Sequence, residues 1–226
     1  MPQTRKDPLV AGEIYHVFTR SIAKFVVLNN ADEFERMYQL ISLYRHKGFN
    51  IKYSKFVDLT HASQDQVAKN LVEENNLLVE IVAYCFMPTH IHLLLKQVSE
   101  DGISKFMSKV LNGYSRFFNA KHKRTGPLWS GRFKNVLVTT DEQILHLTRY
   151  LHLNPTSADI AKKPDDWEFS SYGEYINTID PQFRICNFRD IIDISAKEYK
   201  KFVDDRKKYQ RELSLIKSLI IDNYTG

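Results

Sequence analysis

The chain has 226 residues and a mass of 26.5 kDa, enough to bury a substantial core in one domain with appendages. Hydrophobic residues make up 43% and charged residues 26% of the chain, which excludes an intrinsically disordered protein, and no apolar run approaches the roughly 20 residues that span a bilayer. The N-terminus lacks the apolar segment of a secretion signal, so we expect a cytoplasmic protein without membrane contact. Cys85 and Cys186 lie far apart in the sequence and predict free thiols.

The net charge is +5, and its distribution along the chain is uneven. Between Asp101 and Asp141 there are eight basic residues and no acidic residue, so the rest of the chain is net acidic. A concentrated basic region of this kind indicates an anionic partner. Its cations are Lys105, Lys109, Arg116, Lys121, Lys123, Arg124, Arg132 and Lys134.

The first elements predicted along the chain are a strand and a helix. Residues 13–20 alternate between two sets of side chains, which predicts a strand with Ile14, His16 and Phe18 on one face. A helix begins after Asn30, where Glu33 completes a variant of the capping box. Gly48 supplies the stop signal for this helix.

Two less regular segments follow. Residues 50–59 contain spaced apolar and aromatic side chains and predict a second strand. Residues 60–76 are polar with a weak helical pattern, and we interpret them as an inserted helix.

The next two predicted strands meet at a Pro-Thr turn at residues 88–89. Residues 79–86 are rich in β-branched and aromatic residues, and residues 90–95 continue the apolar pattern. Side chains two apart on a strand share a face, so His90 and His92 point the same way. Two imidazoles on one strand can act as paired metal ligands, although two histidines without a metal give the same doublet.

A second strong helix is predicted over residues 104–122. Its apolar residues repeat every three or four positions, and Tyr114 falls near the middle of this stripe. This pattern has two interpretations. Tyr114 is either a core tyrosine with a satisfied hydroxyl or a nucleophile close to the histidines, and both interpretations stay open.

The loop after this helix mixes cations with glycine, proline and aromatic residues. This composition is typical of a segment that contacts phosphates and stacks on bases. Trp129 serves equally well as a core anchor in this pattern. The residues predicted to bind DNA are Arg116, Asn119, Lys121, Lys123, Arg124, Trp129, Arg132 and Lys134.

The C-terminal part predicts one more strand and two helices. Residues 135–139 form the strand, and Thr140 or Asp141 caps a helix that ends before Pro155. A polar helix is predicted from Ser195 to about Asp222, docking on the body, a second subunit or DNA. The predicted organisation is a main domain over residues 1–180, with an insertion at 60–76, and a C-terminal helical extension over 181–226.

Five motifs occur in one order and cover roughly residues 12–176. Together they resemble the single-tyrosine HUH transposases, and most closely the branch of REP-associated tyrosine transposases. The motifs are MPTHIHLL at 87–94, YSRFFN at 114–119, TGPLWSGRF at 125–133, RYLHLNP at 149–155 and WEFSSY at 167–172.

The resemblance implies an α+β fold, with a ferredoxin-like or RRM-like antiparallel sheet and helices packed on it. It implies a DNA strand transferase that cleaves and rejoins single-stranded DNA at hairpins through a covalent 5′-phosphotyrosine. It makes Tyr114 the nucleophile and His90 and His92 the ligands of Mg²⁺ or Mn²⁺, with Mn²⁺ slightly favoured because imidazole is softer than carboxylate. We therefore expect a monomer or homodimer that binds single-stranded DNA with hairpins in the cytoplasm, associated with the nucleoid.

Two positions depart from the family pattern. Thr89 stands where the family usually has asparagine, and Phe118 occupies the position four after Tyr114, where related transposases have a polar metal ligand. Asn119 is the nearest amide, but at i+5 on a regular helix it points away from Tyr114. The third metal ligand therefore stays open.

Two other functions also agree with the residues. In a non-catalytic binder of single-stranded or hairpin nucleic acid, Tyr114 is a core residue and the histidines are incidental. A zinc hydrolase ranks last, because no third protein ligand has a familiar spacing. A covalent protein-DNA adduct that requires the nucleophilic tyrosine separates the transferase from the binder.

Overall fold

The computed structural model describes residues 5–205 of the chain. Its centre is a four-stranded antiparallel sheet with the strand order β2-β3-β1-β4. With one helical connection between β1 and β2 and another between β3 and β4, this order is the ferredoxin-like arrangement, which confirms the predicted fold class. The strands are β1 (Ile14–Arg20), β2 (Val79–Met87), β3 (His90–Gln97) and β4 (Lys134–Val138).

Several helices begin at a residue whose side chain caps them. Asn30, Thr140 and Ser195 each accept a hydrogen bond from the backbone N–H three residues further on, and the sequence predicts the caps at Asn30 and Thr140. The helices in residues 5–205 are α1 (Ala31–Tyr44), α2 (Tyr53–Val57), α3 (His61–Glu74), α4 (Gly102–Lys121), α5 (Asp141–Ser157), α6 (Tyr172–Tyr175) and α7 (Ala196–Asp204). None of them is long and apolar enough to cross a membrane.

The sheet separates two hydrophobic clusters. On one face, Ile91, Leu93 and Leu95 of β3 pack with residues of α1 and α4. On the other face, Leu94 packs with residues of α5, α6 and α7. Because side chains alternate along a strand, His92 lies on the α5 face of the sheet.

The region between α1 and β2 differs in part from the prediction. The strand predicted at residues 50–59 is wrong, because this segment forms α2. Tyr53 and Phe56 are both buried, and a spacing of three residues brings them to the same side of a helix but to opposite sides of a strand. The helix predicted within residues 60–76 is confirmed as α3.

The segment after Asp180 joins the cluster on the α5 face. Phe188, Ile192 and Tyr199 are buried there with residues of α5. The described part of the predicted extension thus contributes to the same core as the sheet. The predicted continuation of the last helix, from residue 206 to Asp222, lies outside the described residues.

Candidate active site

Three histidines cluster on the face of the sheet that α5 covers. His90 and His92 lie on β3, and their ring centroids are 4.9 Å apart. His16 lies on the neighbouring strand β1, and its Nε2 is 3.0 Å from Nδ1 of His92. His16 and His92 are fully buried, so the strands hold both rings in place.

Helix α5 brings a tyrosine and an amide to the same histidine. The ring of Tyr150 packs edge-on against the ring of His92, with a centroid distance of 5.9 Å. Asn154 places its Nδ2 3.3 Å from Nε2 of His92. Residues four apart share one face of a helix, so Tyr150 and Asn154 approach the histidines together.

Burial keeps the two β3 histidines neutral at neutral pH. Desolvation lowers the pKa of His90 to about 4, and the nearby Arg20 adds to the shift. Desolvation also holds the pKa of His92 well below its usual range, with His90 and His16 adding to the effect. A neutral imidazole keeps one ring nitrogen with a lone pair, which is the form that binds a metal ion.

The donor chemistry of this cluster fits a divalent metal ion. His90 and His92 offer ring nitrogens, and rotation of the Asn154 amide would present Oδ1 instead of Nδ2 toward His92. Within residues 5–205, no three His, Cys, Asp or Glu side chains are arranged to hold a metal. An amide oxygen, water or DNA would therefore complete the ligand set, which disfavours the zinc hydrolase with its three familiar protein ligands.

The prediction that Tyr114 lies beside the histidines is wrong. Tyr114 is fully buried in the cluster on the opposite face of the sheet, against the rings of Phe118 and Trp129. Its hydroxyl donates a hydrogen bond to the carbonyl of Val27. Burial raises the pKa of Tyr114 far above its usual value. The structure thus supports the alternative interpretation, a core tyrosine with a satisfied hydroxyl.

The sequence that contains this site matches a known protein family. The model of the family described as IS200-like transposases matches residues 39–154, just over half of the chain. The chain belongs to this family. The matched part of the chain includes His90, His92, Tyr150 and Asn154, whereas His16 precedes it.

Two individual relatives of this chain are also transposases by name. The chain is 28% identical over 104 residues to a Haemophilus influenzae protein provisionally named a REP-associated tyrosine transposase, a match that covers 41% of this chain and 58% of that protein. It also resembles the solved structure of a REP-associated tyrosine transposase bound to a REP hairpin, with 15% identity, a TM-score of 0.53, and coverage of 83% of this chain and 93% of that one. At this identity the structural likeness shows a shared fold.

Trp129 is a core residue of the protein. Only 9% of it is exposed, and its Nε1 donates to the carbonyl of Leu111 at 3.3 Å. Its ring packs near Tyr114. The predicted role in stacking on DNA bases is therefore wrong, and the alternative of a core anchor is correct.

Of the other predicted DNA-binding residues, three contact neighbouring protein groups and four are exposed cations. Asn119 and Arg124 shape the turn after α4, because the Asn119 side chain accepts from Arg124 and donates to the carbonyl of Gly126. Lys121 pairs with carboxylates at the start of α1. The remaining four are exposed cations, and their contact with DNA stays a prediction: Arg116, Lys123, Arg132 and Lys134.

Sequence reasoning missed three residues of this site. Tyr150 and Asn154 lie inside the RYLHLNP motif. They provide the spacing of a tyrosine and a polar residue four positions later, which Tyr114 and Phe118 do not provide. This i, i+4 pair of a tyrosine and an amide was the available signal. His16 is on the predicted face of β1, but nothing in the sequence shows that β1 pairs with β3.

Proposed function

We propose that this protein is a metal-dependent single-stranded DNA transposase in which Tyr150 is the nucleophile. One observation carries the proposal: α5 presents Tyr150 and Asn154 to the histidine that forms the centre of the cluster. Membership in the IS200-like transposase family supports the reaction class.

In the proposed reaction, the Tyr150 hydroxyl oxygen attacks the phosphorus of a DNA phosphodiester. A bond forms between this oxygen and phosphorus while the bond from phosphorus to the 3′ oxygen breaks. The tyrosine proton leaves and the departing 3′ oxygen gains a proton, so the products are a 5′-phosphotyrosine and a free 3′-hydroxyl. Because the new phosphodiester bond conserves the energy of the old one, a second 3′-hydroxyl can reverse the step without ATP.

The residues around Tyr150 have separate tasks. His90, His92 and the Asn154 amide would hold Mg²⁺ or Mn²⁺, which when bound withdraws negative charge from a non-bridging phosphate oxygen. His92 and Asn154 also fix the side of the sheet from which Tyr150 approaches the phosphate. Because these groups belong to one chain, we propose that a monomer can carry out the cleavage step.

We propose single-stranded DNA with a hairpin as the substrate. The support is the resemblance to a transposase that was solved bound to a REP hairpin, together with the basic region of the chain. A protein with this substrate would work in the cytoplasm, in association with the nucleoid.

A covalent adduct assay tests the proposal. A hairpin oligonucleotide labelled at its 3′ end is incubated with the protein and Mn²⁺, and adducts are separated by denaturing gel electrophoresis. We expect the unmodified protein to form an adduct and Tyr150→Phe to form none, because the 5′-phosphate half of the substrate can no longer attach. Hairpin binding should stay within about fivefold, since one hydroxyl contributes on the order of 1 kcal/mol or less to a neutral contact.

Tyr114→Phe is the matched control for this assay. It also removes one phenol hydroxyl, but on the opposite face of the sheet, so the adduct should persist. An adduct that is lost in Tyr114→Phe and kept in Tyr150→Phe would return the nucleophile to Tyr114. A protein that binds the hairpin but forms no adduct in any variant would be a non-catalytic binder.

A further inference from the structure

A basic groove lies on the face of the sheet away from the histidines. Helices α1 and α4 and the segment 49–58 enclose a space of about 780 Å³. Among the described residues that line it, Asp58 is the only acidic one, and it pairs with Lys55 at 3.6 Å. The cations that line it are Arg36, Lys52, Lys55, Lys109, Arg116 and Lys121.

Most of these cations have no acidic partner. Lys121 contacts Asp32 and Glu33 at the start of α1. In the part of the chain that is described, no carboxylate lies within ion-pair distance of Arg36, Lys52, Lys109 or Arg116. Positive charge is therefore concentrated in the groove and left for a ligand to neutralise.

Two of the cations are held in position by their surroundings. The Arg36 guanidinium lies against the rings of Tyr53 and Phe117, with Cζ 4.3 Å and 4.4 Å from their centroids. These two aromatic contacts hold the guanidinium in place, and a guanidinium is well suited to bind a phosphate. The Lys109 ammonium donates to the carbonyl of Phe49 at 3.1 Å. These contacts distinguish the groove from an ordinary surface with freely moving lysines.

The groove also offers apolar surface next to the charge. Ile51 and Val57 line it and are 40% and 41% exposed. A ligand that matches both features carries anionic groups and flat, weakly polar groups in alternation. Single-stranded nucleic acid has this character, whereas a duplex turns its bases inward and presents mainly phosphates.

The groove opens near the histidine end of the sheet. Lys121, at the last turn of α4, lies 3.2 Å from the Asn30 side chain, and the N–H of Leu28 bonds to the carbonyl of Pro88. Pro88 precedes His90 by two residues. A nucleic-acid strand that leaves the groove at Lys121 would therefore emerge at the end of the sheet where His90 begins β3.

We propose that this groove binds a single-stranded nucleic-acid segment, at a site separate from the histidine cluster. The assignment of that segment as DNA flanking the cleaved phosphodiester rests on the proposed function. Arg36, Lys52, Lys109 and Arg116 contact its phosphates. Ile51 and Val57 contact its bases and sugars.

Charge reversal at two exposed groove residues tests the proposal. The variant Lys52→Glu/Arg116→Glu is compared with Lys162→Glu/Lys197→Glu, which makes the same charge change at exposed lysines outside the groove. Both are made in the Tyr150→Phe background, so no cleavage interferes. Binding of a fluorescent oligothymidylate of about 20 nucleotides is followed by anisotropy over a range of NaCl concentrations.

We expect the groove variant to bind at least about tenfold more weakly than its parent. Its plot of log affinity against log salt should be shallower by about 1.4, because each lost phosphate contact on a single strand removes about 0.7 from the slope. The control variant should stay within about threefold of the parent, since only the general field of the protein changes.

Several outcomes would overturn the proposal. Equal weakening in the groove and control variants would mean that net charge alone attracts the strand. Equal weakening for a blunt hairpin duplex and for oligothymidylate in the groove variant would contradict the single-strand assignment. If the groove variant melts earlier by circular dichroism, Lys52→Gln/Arg116→Gln replaces it under the same criteria. Absence of a covalent adduct in the unmodified protein would reject the proposed function and leave these binding results unaffected.

Discussion

At the scale of single residues, His92 is enclosed by partners at both ring nitrogens. His16 Nε2 lies at Nδ1, and Asn154 Nδ2 lies at Nε2. When Nδ1 carries the proton and donates it to His16, Nε2 keeps the lone pair that a metal requires. In this tautomer, the hydrogen bond to His16 also orients the His92 ring.

Replacement of His16 should weaken metal binding without changing a ligand. We expect His16→Phe to lower Mn²⁺ affinity roughly 10- to 100-fold, because such partners of metal-binding histidines contribute about this much. Electron paramagnetic resonance of free Mn²⁺ measures the affinity directly. His16→Gln, which keeps a hydrogen-bond acceptor, should recover part of it.

His46→Phe is the control for the His16 variants. His46 is also buried, but it lies after α1 and contacts Arg45 instead of the cluster. Its replacement should leave Mn²⁺ affinity unchanged. Equal affinities of His16→Phe and the unmodified protein would show that His16 only fills space.

The choice between Tyr114 and Tyr150 shows what can be predicted from the sequence about a single residue. Both tyrosines lie on helices that pack against the sheet, and periodicity alone does not separate them. The topology does. In the ferredoxin-like order, both crossover helices cover one face, and the apolar residues of β3 must point toward them. His90 and His92 then face away from α4, so the proposed function assigns the nucleophile to the helix after β4.

At the scale of secondary-structure elements, α5 is held in place by α7. The Tyr199 hydroxyl lies 2.6 Å from Nδ1 of His152 and 3.0 Å from Oγ1 of Thr148. The other ring nitrogen of His152 is 2.8 Å from Oγ of Ser171. This network is buried. Two of its members, Thr148 and His152, lie on the same helix as Tyr150.

Tyr199→Phe should destabilise the protein. The change leaves a buried nitrogen of His152 without its partner, at a cost of about 1–3 kcal/mol in the free energy of unfolding. Urea denaturation measures this cost. Adduct formation should fall as well, because α5 is held less firmly over the histidines.

Tyr172→Phe provides the contrast. The Tyr172 hydroxyl is buried nearby, and among the described residues it has no hydrogen-bond partner. Its removal should be neutral or slightly stabilising, since no bond is lost and a desolvated group is removed. If both phenylalanine variants lose the same free energy, ring packing and not the hydrogen-bond network anchors α5.

Local signals predicted the elements better than their contacts. The caps at Asn30 and Thr140 are confirmed because a capping side chain needs only its own next turn. Residues 50–59 were assigned to a strand because three aromatic or apolar residues in a short segment suit either element. The docking of α7 on α5 depends on contacts across about 50 residues of sequence, which no local pattern encodes.

At the scale of the whole molecule, two candidate DNA surfaces lie on opposite faces of the sheet. The histidine cluster is on the α5 face, and the basic groove is on the face of α1 and α4. The basic region between Asp101 and Asp141 predicts an anionic partner. It contains only some of the cations that line the groove. Arg36 and Lys52 lie far from the basic region in the sequence and join it only through folding.

The buried histidines should make the stability of the whole protein depend on pH. Desolvation lowers the pKa of His46 and of His90 to about 4 and that of His152 to about 3, and it holds the pKa of His92 well below its usual range. In the unfolded chain these groups titrate near about 6.5. Between about pH 6.5 and pH 4 the unfolded state therefore binds more protons than the folded state. The free energy of unfolding must fall as the pH falls through this range.

Urea denaturation at pH 7.5, about 6 and about 5 tests this dependence. We expect the free energy of unfolding to change little above the unfolded pKa and to decrease steadily below it. Burial raises the pKa of Glu174, which acts in the opposite direction, but one carboxyl opposes four imidazoles. His152→Phe should be less stable at pH 7.5 and should lose less stability on acidification, because one of the four groups is gone. A decline with the same slope in this variant would show that carboxylates, and not the buried histidines, control the acid sensitivity.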